Sequence, residues 1–338
     1  MILYDPDIPA SLHEFGIQIP IHDSRTTKVF ETVTNKLKLS PATGDWHQSR
    51  ITEKIAKNDL LRVHTPAYVK DLYSRQLERI VTTTYELIDS YGKYHRYDPS
   101  TATRPLTDLF ERTLHKAAGT TQCSKYALTH GFCYYFSGGM HHAHADHGSG
   151  FCIVNDIVIA SRRVQAENGV SKVWIIDTDA HKGDGTAAIT ATDDTIVTLS
   201  IHMARGWPLD GPQTFPDGTT NPAYAPSDID IPIEAGEEKE YLERLERGLH
   251  QLEATAPADL AIVVSGADPY EGDKLPSTAG LKLTLEQLLS RDLMVYDFLK
   301  RQGVPSAFLM AGGYGEDVWR VYTQFLTTVL PREGCGQV

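Results

Sequence analysis

Cysteine is scarce and scattered: Cys123, Cys133, Cys152 and Cys335 form no C-x-x-C pair and no closely spaced framework. That spacing excludes a disulfide-stapled mini-domain and fits a reducing compartment, with the cytoplasm as the expected location. Basic charge is also in deficit, 32 Lys plus Arg against 44 Asp plus Glu, a net charge of −12. Such a balance is unsuited to gripping a phosphate backbone, so no direct nucleic-acid partner is expected. No apolar run approaches the ~18 residues that would span a bilayer, and Met1–Asp7 has neither the basic start nor the apolar core of a signal peptide, so no membrane partner is expected either. Internal repeats, low-complexity tracts and Ser/Gly linkers are missing as well. At roughly 150 residues per domain the length allows about two domains, but without a linker the expectation is a single domain over residues 1–338.

What remains is an ordinary globular composition, 41% hydrophobic and 22% charged, which argues against a disordered, collagenous or coiled-coil chain. Short apolar runs alternate with amphipathic stretches, the pattern of βα units around a mostly parallel sheet. Strands are expected at Phe132–Phe136, Val173–Asp177, Thr195–Ile201, Leu260–Ser265 and Ala307–Met310. Helices are expected at Lys28–Leu37, Pro105–Leu128, Asn155–Glu167, Glu237–Glu253, Leu285–Arg301 and Glu316–Leu330, with Asn155 and Thr284 as N-caps. Residues 206–227, rich in Pro, Gly, Asp and Thr, read as a long ordered loop, and 92–104 as a second irregular segment.

The residues that follow each strand carry the chemistry. In an open parallel sheet the ligand crevice lies beyond the carboxyl ends of the strands. Phe132–Phe136 leads into Ser-Gly-Gly-Met-His141-His142, Val173–Asp177 into Thr-Asp179-Ala-His181-Lys-Gly-Asp184-Gly, Leu260–Ser265 into Gly-Ala-Asp268, and Ala307–Met310 into Ala-Gly-Gly-Tyr314-Gly. Taken alone, Asp179-x-His181 is a surface turn. The apolar strand before it and the expected Gly183-Asp184-Gly185 turn after it reverse that reading, because a spacing of two in extended backbone puts both side chains on one face. With Asp268 they make three ligands with room for water, the open arrangement of a catalytic zinc or similar divalent ion. Adjacent His141 and His142 diverge in extended backbone, so they suit acid/base work better than chelation, with Asp177 and Asp184 as orienting partners. Tyr314, flanked by glycines that allow close approach, suits hydrogen-bond donation to an oxyanion.

These segments, with Gly150-Phe151-Cys152-x-x-Asn155-Asp156, resemble the histone deacetylase family, a group that includes bacterial deacetylase-like amidohydrolases, acetylpolyamine deacetylases and acetoin-utilisation proteins. The motifs fall in the family's order over residues 138–315, and Arg62-Val-His64-Thr-Pro-Ala-Tyr68-Val resembles its N-terminal half. The resemblance implies an arginase/deacetylase fold, a single α/β domain with a mostly parallel sheet of about eight strands flanked by helices. It implies a zinc-dependent deacylase acting on an N-acyl-lysine side chain of a peptide or protein, or on a small acylated amine. Zn²⁺, with Fe²⁺ as the alternative, would be bound by Asp179, His181 and Asp268. His142 matches the general base, His141 its electrostatic partner, Asp177 and Asp184 the carboxylates behind the pair, and Tyr314 the carbonyl-polarising residue. Gly150 and Phe151 match the acyl-lysine tunnel, and Trp207 stands where the family often has the opposing aromatic wall. A structural K⁺ would match Asp177, Asp179, His181, Ser200 and Ile201.

Several positions depart from the family pattern. Lys182 stands where many relatives have a second histidine, which leaves the chemistry intact and alters the local electrostatics. The Ser-Gly-Gly-Met before the dyad leans away from the acetylpolyamine enzymes, the runner-up activity. No acidic rim residue stands out beyond Asp98, and His144 and His147 are expected to face solvent. Two other readings differ in kind: a catalytically silent acyl-lysine binder, which the intact set of site residues opposes, and an arginase-like ureohydrolase, which would need two metals.

Overall fold

The apolar runs become strands whose side chains are buried on both faces, as parallel sheets between helix layers require. The computed structural model describes residues 1–42, 44 and 46–335. In chain order its elements are β1 (Ile2–Leu3), α1 (Ser24–Leu37), β2 (His47–Gln48), α2 (Lys57–Leu61), α3 (Pro66–Leu72), α4 (Leu77–Thr84), α5 (Asp108–His130), β3 (Phe132–Tyr135), α6 (Asp156–Asn168) and β4 (Val173–Asp177). They continue with α7 (Asp184–Thr190), β5 (Ile196–Met203), β6 (Ile229–Ile233), α8 (Tyr241–Glu253), β7 (Leu260–Ser265), α9 (Leu285–Gln302), β8 (Ser306–Met310) and α10 (Trp319–Arg332).

One eight-stranded sheet runs in the order β2-β1-β3-β8-β7-β4-β5-β6, and every pair is parallel. Alternate residues of the central strands feed opposite cores. Trp174, Ile176, Val263 and Phe308 pack under α1, α8, α9 and α10, while Ile175, Ile262, Val264 and Leu309 pack under α5 and α6. Among the described residues, no helix is long and apolar enough to cross a membrane.

All five expected strands and all six expected helices are present, with ends shifted by a few residues. Asn155 and Thr284 do cap their helices, accepting from the backbone N–H of Val158 and Gln287. Three strands were not anticipated. β1 and β2 are two residues each, and β6 is an edge strand whose Asp230 and Pro232 face outward, so its run Ile-Asp-Ile-Pro-Ile lacks a continuous apolar signal. The segment expected as a Gly183-Asp184-Gly185 turn instead opens helix α7, with Gly183 as N-cap and Asp184 in the first turn, where a carboxylate suits the helix dipole.

Candidate active site

The four central strands β3, β8, β7 and β4 are neighbours, and the register holds their ends level: Asp177 pairs with Val264, and Ser265 with Met310. The segments leaving these ends therefore meet at one edge. Asp179, His181 and Asp268 are all buried there, with one potential ligand atom from each lying within 4.8 Å of the others. His181 Nδ1 faces Asp179 Oδ1 at 3.2 Å and Asp268 Oδ2 at 3.1 Å. Gly312 makes room for the set, since a Cβ at this position would sit 2.3 Å from Asp179 Oδ2.

The charge of this set is not closed by the chain. Burial and the neighbouring Asp179 push the Asp268 carboxyl up to about 7. Burial acts to lower the pKa of His181, but the two carboxylates outweigh it and raise the imidazole to about 10. Asp268 Oδ2 is buried without a hydrogen bond of proper geometry among the described residues. Two hard oxygen donors, one imidazole nitrogen and an excess of negative charge are the donor set of a divalent metal ion, and these residues fit one.

Behind the set stand two His–Asp pairs of equal length and opposite electrostatics. His141 Nδ1 lies 2.6 Å from Asp177 Oδ2, and His142 Nδ1 lies 2.6 Å from Asp184 Oδ1. Burial disfavours charge on both rings. For His141, Asp177 and Asp179 together overcome burial and raise the ring to about 9. For His142, burial and the adjacent charged His141 prevail over Asp184, so the ring falls to about 4. The rings are 3.9 Å apart between centroids, an imidazolium beside a neutral imidazole. The backbone that delivers them is anchored by Asp156, whose carboxylate accepts from Met140 N at 2.6 Å and Gly139 N at 3.0 Å.

A narrow cavity of about 130 Å³ leads to this floor, lined by Gly150, Phe151, Trp207, Leu275 and Tyr314 with His142 and His181 at its base. Trp207 packs edge-on against His142 at 4.5 Å between ring centroids, which places this loop residue among those lining the cavity, as Phe151 is. At Gly150 (φ +50°) a Cβ would meet Trp207 at 2.3 Å and His142 at 2.5 Å, so only glycine fits between them. Burial, Asp268 and Asp179 all push the Tyr314 phenol well above its ordinary value, so it remains a proton donor.

Among the other sequence candidates, Ser200 pairs with Asp177 in the sheet register and its hydroxyl is buried without a hydrogen-bond partner among the described residues; Ile201 follows it within β5. Lys182 turns away from the histidines and donates to both oxygens of Asp230 at 2.7 Å, so its positive charge is answered outside the site. His147 is exposed as expected, but His144 is not: it is buried, with Nε2 3.1 Å from Asp184 Oδ2. Its ring stacks on His147 and gives Asp184 a second imidazole, a contact that no local pattern announces. Asp98 binds Ser100 and caps the turn Pro99–Thr101, while the acidic side chain at the cavity mouth is Glu86, paired with Arg96 at 3.1 Å. Sequence reading also missed Arg25, whose buried guanidinium donates to Gly313 O at 3.2 Å and Tyr322 Oη at 3.0 Å and braces the turn before Tyr314.

Comparison with known proteins gives the family and the fold. The profile of the histone deacetylase domain matches residues 19–330. Histone deacetylase 2 of Arabidopsis thaliana is 26% identical over 282 residues, covering 83% of this chain and 67% of that protein. The acetoin utilization protein AcuC of Staphylococcus aureus is 31% identical over 188 residues, covering 55% and 47%. An uncharacterized protein of Picosynechococcus is 33% identical over 211 residues, 62% of this chain and 65% of its own length. The matches thus span from about half to two-thirds of these relatives. The crystal structure of the HDA15 HD domain superposes with a TM-score of 0.68 at 18% identity, covering 98% of this chain and 89% of that one, which identifies the fold.

Proposed function

Because the chain belongs to the histone deacetylase family, we propose that it is a single catalytic unit that hydrolyses the acyl amide of an N-acyl-lysine side chain or a similar small acylated amine. The observation that carries this reading is the convergence of Asp179, His181 and Asp268 with two 2.6 Å His–Asp pairs at the base of a narrow aromatic-walled cavity.

An amide is a poor electrophile with a poor leaving group, so its hydrolysis needs an activated water, a polarised carbonyl and a proton for nitrogen. A divalent ion held by Asp179, His181 and Asp268, Zn²⁺ or alternatively Fe²⁺, supplies the Lewis acid that lowers the pKa of a water and draws charge from the carbonyl. His142 is neutral and its Nδ1 is engaged by Asp184, which leaves Nε2 to take the proton of the attacking water and later to pass it to the leaving amine. His141, held charged by Asp177, stabilises the negative charge that develops beside it. Tyr314 donates its phenolic proton to the tetrahedral oxyanion, an interaction worth about 3 kcal/mol. Phe151 and Trp207 clasp the aliphatic stem of the substrate, with Gly150 lying along it. The orphan hydroxyl of Ser200, with Asp177, Asp179, His181 and Ile201, fits a structural K⁺ at the strand ends.

A panel of acetyl-lysine peptides, longer acyl-lysine peptides and acetylpolyamines tests the proposal. The expected result is amide cleavage of a lysine substrate that a hydroxamate blocks. Cleavage of acetylpolyamines alone would move the substrate class, and turnover of none, with the metal in place, would sink the reading.

A further inference from the structure

The segment that leaves β7 continues past Asp268 into a loop, residues 269–283, whose ends are tied by Leu283 N donating to Pro269 O at 2.7 Å. Two of its side chains reach back into the site. Ser277, in the short turn Pro276–Thr278, places its hydroxyl 3.1 Å from His181 Nε2, on the far side of the ring from the two carboxylates. Asp273 is buried and its carboxylate is shared: Oδ1 accepts from Leu275 N at 2.8 Å and Thr278 Oγ1 at 3.2 Å, while Oδ2 accepts from Tyr314 N at 2.7 Å. Lys274 N returns a bond to Tyr314 O at 3.1 Å, so the residue that carries the phenol is held from both sides by this loop.

A ligating imidazole needs its far nitrogen protonated and bonded, because that bond fixes both the tautomer and the ring plane. An oxyanion donor gains its effect from being placed before charge develops. Resting on the deacylase reading above, we propose that this loop contributes two positioning residues to the reaction: Ser277, which holds His181 in the metal-binding tautomer, and Asp273, which sets Tyr314 over the reacting carbonyl. The loop that follows the ligand Asp268 thereby orients a second ligand and aims the phenol.

The two residues act through different partners, so two readouts separate them. In competition with a chromophoric chelator, Ser277→Ala should weaken Zn²⁺ binding about 10–100-fold, while Ser277→Thr, which keeps the hydroxyl, and Asp273→Asn should stay within about threefold of the parent. In the zinc-loaded protein, Asp273→Asn should lower kcat about 30-fold at nearly constant KM and weaken hydroxamate binding, and both effects should vanish in a Tyr314→Phe background. Thr278→Val, which removes one donor to the Asp273 carboxylate, should act in the same direction at smaller size and serves if Asp273→Asn does not fold. Zinc held equally tightly by Ser277→Ala, or as weakly by Ser277→Thr as by Ser277→Ala, overturns the first role. An Asp273→Asn effect that persists without the Tyr314 hydroxyl overturns the second. If the parent cleaves no acyl amide, the deacylase reading fails, while zinc and hydroxamate affinities still decide both roles.

Discussion

Two clusters of acids in this molecule share the carboxylate group and differ in how their charge is closed. On α6, Arg163 reaches Glu53 and Asp59 at 3.0 Å and Glu167 at 2.6 Å, and Lys125 bonds Glu53 and Glu167 at 2.8 Å. Every carboxylate in that cluster meets a cation of the chain. At the strand ends Asp177, Asp179, Asp184 and Asp268 are buried together, and the groups that face them are histidines. Closure on α6 is structural, whereas the open excess at the strand ends fits a cation. Part of the formal charge of −12 is therefore buried rather than displayed.

The largest expected effect tests the open cluster directly. Asp179→Ala should lose the metal and lower turnover by about 1,000-fold or more, read as metal content and kcat/KM on the same preparation. Retained metal with retained turnover would make this cluster structural, like the one on α6. Tyr314→Phe sharpens the contrast by separating charge from chemistry. It should keep the metal and lose roughly 300-fold in kcat; full activity would remove the phenol from the mechanism.

Arg163→Ala breaks the closed cluster instead. Arg163 and Asp59 are both buried, so removing the cation leaves carboxylates without their partner and should cost about 3 kcal/mol in denaturant unfolding. Turnover per folded molecule should not change. A loss of activity without a loss of stability would mean that the two clusters communicate.

The contrast also marks what was legible in the chain. The central strands are continuous apolar runs, so the four strand ends and the acids and histidines just beyond them could be placed from residue order. Contacts between loops could not. Ser277 and Asp273 sit in a Pro- and Gly-bearing segment without periodicity, and their partners His181 and Tyr314 lie 96 and 41 positions away. His144 was misread for the same reason, since its partner Asp184 lies 40 positions away, at the start of α7. Short elements such as α2 and β1 are below the length at which a period declares itself. Charge closure by Arg163 joins residues 53, 59 and 167, again a property of the fold rather than of any local pattern.

The smallest expected effect is the pH dependence of the closed cluster. Hydrogen bonds from Arg163 and Lys125 hold the Glu167 carboxyl below its ordinary value of 4.5. A carboxylate whose pKa is lower in the folded than in the unfolded chain stabilises the fold above the unfolded value and loses that contribution as the pH falls through the folded one. Glu167 is 40% exposed, so water screens much of the interaction and the contribution is modest. The stability gap between the parent and Arg163→Ala should accordingly be full at pH 7 and begin to narrow as the pH drops below about 4.5. Urea titrations at stepped pH measure it. A gap that stays constant through that window would show that Arg163 stabilises α6 by packing its stem and not by answering the charge of Glu167.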